Sequence, residues 1–175
     1  MTQSEYFIAG SVSVSQMEPL LRNIRAIYGT RCEEQFDEKI TVFHQGQALL
    51  HLSKYKVSVR SPLILKCYGA VEYVRSAGIS VMLRSVTTCH VSYNATETLS
   101  DLGFEISHTF GRYGSIFWHP DVKVIVSRLK DCKEEKLCDY AFVKIYTEGD
   151  MLVEGIPKKF QRIAERIKVC KFYGG

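Results

Sequence analysis

The sequence predicts a β-dominated α+β fold, a many-stranded antiparallel β-barrel or strongly bent sheet flanked by three helices. Three observations lead there. Roughly seven to nine segments alternate apolar and polar residues with period two, their connections are mostly short and hairpin-like, and three segments repeat apolar residues with helical spacing. An antiparallel sheet of that size tends to curl and close, which removes its exposed edges.

Tyr6, Ile8 and Val12 on one face and Phe7 and Ala9 on the other predict a first strand covered on both sides. Met17, Leu20, Leu21, Ile24 and Ile27 then share one helical face, and Gly29 ends a helix over about 16–28. Its start is signalled by Ser15 with Glu18 as a capping box, or by Pro19 at the first helical position. A polar linker over 30–39 leads to Ile40 and Val42. Gln45-Gly46 then turns the chain into a second run over 48–60. There Leu52, Lys54, Lys56, Ser58 and Arg60 share one face, and the opposite face is mostly apolar.

Residues 63–68 read as another strand, and 79–93 as one long enough to require a bend or barrel coiling. Asn94 as N-cap, Glu97 completing a capping box, Leu99 and Leu102 facing inward, and Gly103-Phe104 as a Schellman ending predict a helix over 95–102. Residues 105–110, a glycine turn around 111–114, and Ile116 to Trp118 follow. Val122, Val124 and Val126 line the next strand, and a charged loop covers 130–137. Ala141, Val143 and Ile145 alternate with Tyr140, Phe142, Lys144 and Tyr146. The final helix, about 157–169, carries Ile156, Phe160, Ile163, Ala164 and Ile167 inward and Lys158, Lys159, Arg162, Arg166 and Lys168 outward.

A chain of 175 residues, 46% hydrophobic, suits one compact domain spanning 1–175. The charge of +4 is too small by itself to argue for nucleic acid. Six cysteines without a C-x-x-C pair read as reduced thiols, and no stretch approaches the roughly 18 apolar residues of a membrane span. A cytosolic or nuclear protein is expected.

No metal site, cofactor site or catalytic residue is expected. The five histidines (44, 51, 90, 108, 119) stand apart from acidic residues at ligand spacing, and no nucleophile elbow, P-loop or dinucleotide motif occurs. Lys54, Lys56 and Arg60 on one barrel-strand face could present cations to a phosphate in the lumen, as in tunnel-type triphosphatases. Those enzymes, however, carry an acidic E-x-E-x-K strand, and residues 5–9 here read Glu-Tyr-Phe-Ile-Ala. A tunnel phosphohydrolase or anion-binding barrel is therefore the alternative reading, and weak nucleic-acid binding by the basic last helix a third. Large aromatics on both sheet faces mean either a barrel with helices outside it or a protein-binding surface, and for the latter Trp118, Tyr140, Phe142 and Tyr146 are the partner-binding candidates.

Residues 5–29, EYFIAGSVSVSQMEPLLRNIRAIYG, resemble the opening of the Mediator subunit 18 family, an E-Y-x-x-x-G-S-V strand running into an L-x-x-L-x-x-R-x-R helix. FDEKITVFHQGQ, LILKCYGAVE and NATETLSDLGFEISHTFGRYGSIF are similar to later blocks of that family. The resemblance implies a nuclear, non-catalytic subunit of the Mediator head module, linking transcription regulators to RNA polymerase II by protein–protein contacts. It also implies a barrel like that of the tunnel triphosphatases in outline, a heterodimer with Mediator subunit 20, and a tether through a helix of Mediator subunit 8.

Overall fold

The computed structural model of the protein describes residues 1–56, 62–76, 79–132, 136–149, 155–167 and 170–173. Among these, ten strands and three α-helices are formed. In chain order they are β1 (Thr2–Ser13), α1 (Met17–Tyr28), β2 (Glu33–Gln45), β3 (Ala48–Tyr55), β4 (Leu63–Tyr68), β5 (Glu72–Ser76), β6 (Ile79–Val91), α2 (Ala95–Asp101), β7 (Glu105–Phe117), β8 (Lys123–Asp131), β9 (Tyr140–Gly149), α3 (Ile156–Arg166) and β10 (Lys171–Phe172).

The pairing runs β1-β9-β8-β7-β2-β3-β4-β6 and returns from β6 to β1, so eight antiparallel strands close into a barrel. At the seam Thr2 to Phe7 of β1 lie opposite Thr87 to Met82 of β6. Two short strands extend its edges. β5 continues along β6, and β10 occupies β1 beyond the seam, at Gly10 and Ser11. Gly10 is required there, because a Cβ at this position would lie 2.3 Å from the Lys171 carbonyl oxygen.

The helices cover the outside. Leu20, Leu21 and Ile24 of α1 and Ile156, Phe160 and Ile163 of α3 pack on Tyr6, Ile8, Val124, Val126, Val143 and Ile145. Tyr28 closes the end of α1 by donating its hydroxyl to the Val122 carbonyl at 3.2 Å. Arg25 clamps α1 to the barrel through Glu33, donating from Nε at 2.7 Å. Ala95 and Leu99 of α2 cover a second apolar patch made by Phe43, Leu52 and Leu63.

Several expectations are corrected. Residues 33–39 are strand rather than linker. They are polar because Glu33 and Gln35 hydrogen-bond on the outer face, while Glu38 points into an ion pair inside. β7 passes unbroken through the glycines at 111 and 114. A Cβ at 114 would meet the Val126 carbonyl at 2.0 Å, so glycine permits close strand approach here instead of a turn. Asn94 stands at the N-cap of α2 without a side-chain cap bond, and the Ser92 hydroxyl binds its Oδ1 instead. Leu102 is exposed, because α2 ends at Asp101. The Schellman ending does form: Phe104 N–H donates to Leu99 and Gly103 N–H to Ser100, with Gly103 at φ +87. α1 is preceded by a 3-10 turn with no capping box at Ser15. The expected continuation of the β3 run through Arg60, and Lys168 in the last helix, lie outside the described residues.

Candidate functional site: the barrel lumen and its two mouths

Strand parity decides what the lumen contains. With Tyr6, Ile8 and Val12 turned out to the helices, Glu5, Phe7 and Ala9 turn in. The pairing carries that parity around the barrel to Glu38, His51, Ser53, Lys66, Tyr68, Arg84, Arg112, Ile125, Phe142, Lys144 and Tyr146. The interior is thus far more polar than the outer core.

Its charges are organised in two knots. Glu5 receives Arg84 Nε at 2.7 Å from β6 and Lys144 Nζ from β9. Arg84 also stacks over Tyr68, 4.0 Å from the ring centroid, and Lys144 lies 4.7 Å from that of Tyr146. Burial alone would raise the Glu5 carboxyl, but Lys144 and Arg84 together hold it below its ordinary range. Burial pushes the Lys144 amine down to about 8 despite Glu5. In the second knot Arg112 binds one oxygen of Glu38, which is 1% exposed, and stacks on Phe36. The other oxygen, Oε2, is buried without a hydrogen-bond partner among the described residues. The Tyr55 hydroxyl beside it is pushed up to about 12, by burial first and Glu38 next.

Trp118 lies at one mouth. Its Nε1–H donates to Glu34 at 2.9 Å, and Lys123 sits 5.1 Å over its ring while bonding Glu148. Phe142 lines the lumen toward the opposite mouth, and Tyr140, paired with Ser13 at the far end of β1, is exposed there. Tyr146 is buried inside. The four candidate aromatics are thus split between the two mouths and the interior wall. Sequence reasoning placed three of them on one strand face with Lys144 but did not see that this face is the lumen.

The alternative of a lumen cation face on Lys54, Lys56 and Arg60 does not hold for Lys54. Lys54 shares its side of β3 with Leu50 and Leu52, which pack under α2, so it points out of the barrel. Lys56 pairs with Asp37, and Arg60 lies outside the described residues. The lumen's cations are Lys66, Arg84, Arg112, Lys123 and Lys144. Arg84 and Lys144 were legible from alternation along their strands. Arg112 was hidden by the glycines on either side of it. Among the described residues, no group of three or more His, Cys, Asp or Glu is placed to hold a metal ion.

Outside the barrel, Ile27, Tyr28, Val122 and Ile163 floor a groove of about 410 Å³ between α1 and α3, rimmed by Arg162 and Arg166. Lys159 at its edge is tied to Asp121.

No family model matches the chain. A Danio rerio protein, Mediator of RNA polymerase II transcription subunit 18, is 26% identical over 130 residues, which is 71% of this chain. The chain is similar to Mediator subunit 18. It spans 62% of the length of that curated relative. A chain in the Schizosaccharomyces pombe Mediator head module superposes with a TM-score of 0.78 at 14% identity, covering 97% of both chains. A Mimivirus capping enzyme triphosphatase gives a TM-score of 0.64 at 8% identity over 95% of this chain and 89% of its own. The fold is therefore shared with Mediator head and triphosphatase barrels alike.

Proposed function

We propose that this chain is a non-catalytic subunit of a nuclear Mediator complex, acting by protein–protein contact to link transcription regulators to RNA polymerase II. The observation that carries the reading is the 26% identity to Mediator subunit 18 of Danio rerio, which triphosphatase barrels of 8% identity do not rival. In this reading Glu5 and Glu38, inside the barrel, neutralise neighbouring arginines and lysine, which is a structural task.

The partners are Mediator subunit 20 and a helix of Mediator subunit 8. Trp118, Tyr140 and Phe142, the exposed aromatics at the mouths, are the anchors such partners cover, with Tyr146 bracing the wall behind them. Mixing the chain with subunit 20 and a subunit 8 segment, then sizing the mixture, tests this. A co-eluting complex weakened by Trp118→Ala or Phe142→Ala supports it. Three separate peaks would overturn the partner assignment.

A further inference from the structure

The centre of the lumen holds more positive charge than the carboxylates beside it answer. Its central compartment, about 460 Å³, is lined by Lys66, Arg84, Arg112 and Lys144. Against these four cations stand two carboxylates, Glu5 and Glu38. Glu5 is shared by Arg84 and Lys144, and Glu38 binds Arg112. Lys66, half-buried on β4, has neither an ion pair nor a hydrogen bond among the described residues. A lysine with no counter-charge of its own, set among three further cations, is repelled by them, and a bound anion relieves that repulsion.

The remaining wall supplies the chemistry an oxyanion needs. Ser53, Ser127, Tyr68 and Tyr173 present hydroxyls, and His51 stacks edge-on against Tyr68. The compartment falls within the usual size range of small-molecule sites. Its mouth is partly covered by Tyr173, which donates its hydroxyl to Ser11 at 2.6 Å.

We propose that this compartment binds a compact, multiply charged oxyanion of the polyphosphate class, held by Lys66, Arg84, Arg112 and Lys144, without hydrolysing it. The geometry argues against turnover because Glu5 and Glu38 are each bound to cations, and among the described residues no group of three or more His, Cys, Asp or Glu is gathered to hold the divalent ion such a reaction uses. The lowered Lys144 amine fits the same picture, since an anion beside it would restore its charge. This inference is independent of the function proposed above.

Calorimetric titration of the whole chain with inorganic phosphate, sodium tripolyphosphate and ATP at low salt tests it. Tripolyphosphate should bind more tightly than phosphate, and binding should weaken as sodium chloride is raised. Lys66→Gln should weaken binding about tenfold while melting like the parent, because one charge-assisted contact is lost and no ion pair is broken. Lys66→Arg should retain binding, and Lys54→Gln, on the outer face, should leave it unchanged. Equal affinity for tripolyphosphate and ATP assigns the site to the phosphate chain, whereas tighter ATP binding assigns it to a nucleotide. Absence of binding heat, or equal losses in Lys66→Gln and Lys54→Gln, would overturn the site. Release of phosphate with magnesium or manganese would overturn its non-hydrolytic nature.

Discussion

Glu5 and Arg84 face each other across the strand pair that closes the barrel, joined by a hydrogen bond of 2.7 Å from Arg84 Nε. Lys144 reaches the same carboxylate from the neighbouring strand β9. One acid thereby ties three strands together at the seam. Removing one member of a buried charge cluster leaves the others uncompensated, at a cost of about 3–5 kcal/mol. Glu5→Gln should therefore lower the free energy of unfolding in urea by that order. A loss under about 1 kcal/mol, the range of exposed pairs, would show that the seam does not depend on this charge.

The same carboxyl sets a pH dependence. Its folded pKa lies below the ordinary 4.5, so it contributes stability present above that value and lost as pH falls through the folded one. Glu33, lowered chiefly by the hydrogen bond from Arg25, adds to the trend. Lys144 works on the alkaline side. With its amine pushed down from 10.5 to about 8, the folded state holds fewer protons between those values, so its contribution rises with pH across that window. Thermal melting below about pH 4.5 should show a steep loss that Glu5→Gln makes shallower. An identical slope in both proteins would refute the assignment.

Gly10 belongs to the E-Y-x-x-x-G-S-V pattern, and the fold explains why the position must be small. A Cβ there would lie 2.3 Å from the Lys171 carbonyl oxygen and 2.9 Å from Cys170 Sγ. Gly10→Ala should displace β10 and destabilise by about 1–3 kcal/mol, as overpacking does. Amide exchange at Tyr173, whose N–H donates to the Ala9 carbonyl, should accelerate. Unchanged exchange there would mean that β10 is not held by this contact.

α3 packs on this barrel through Phe160 and Ile167, both fully buried in the main core. Truncating a buried phenylalanine costs about 3–5 kcal/mol, and Phe160→Ala should show that loss in chemical denaturation. Arg162→Gln, on the exposed face, should stay within about 0.5 kcal/mol of the parent. Equal effects of the two substitutions would contradict the packing of α3.

The sequence made legible whatever a short window of residues decides. Alternation assigns Tyr6, Ile8 and Val12 to one side of β1 and Phe7 and Ala9 to the other, and both sides are covered, by helices outside and by side chains of the neighbouring strands inside. Gly29 and Gly46 adopt the positive φ their positions require. Long-range partners decided the rest. Residues 33–39 read as a linker because their polar side chains bond to Arg25 across the turn after α1 and to Ser115 and Arg112 on a strand 74–80 residues away. Alternation puts Lys54 and Tyr55 on opposite faces of β3, but parity within the strand does not say which side is inside. That is fixed only when α2, some forty residues later, covers Leu52.

The central claim, that this chain works as a Mediator subunit by protein contact, is tested most directly by purifying a tagged copy from the cells that make it and identifying by mass spectrometry what elutes with it. The account predicts Mediator head subunits in stoichiometric amounts, reduced when Trp118 and Phe142 are both replaced by alanine. A chain that elutes as a monomer, with no Mediator subunit above the level of an untagged control, would contradict it.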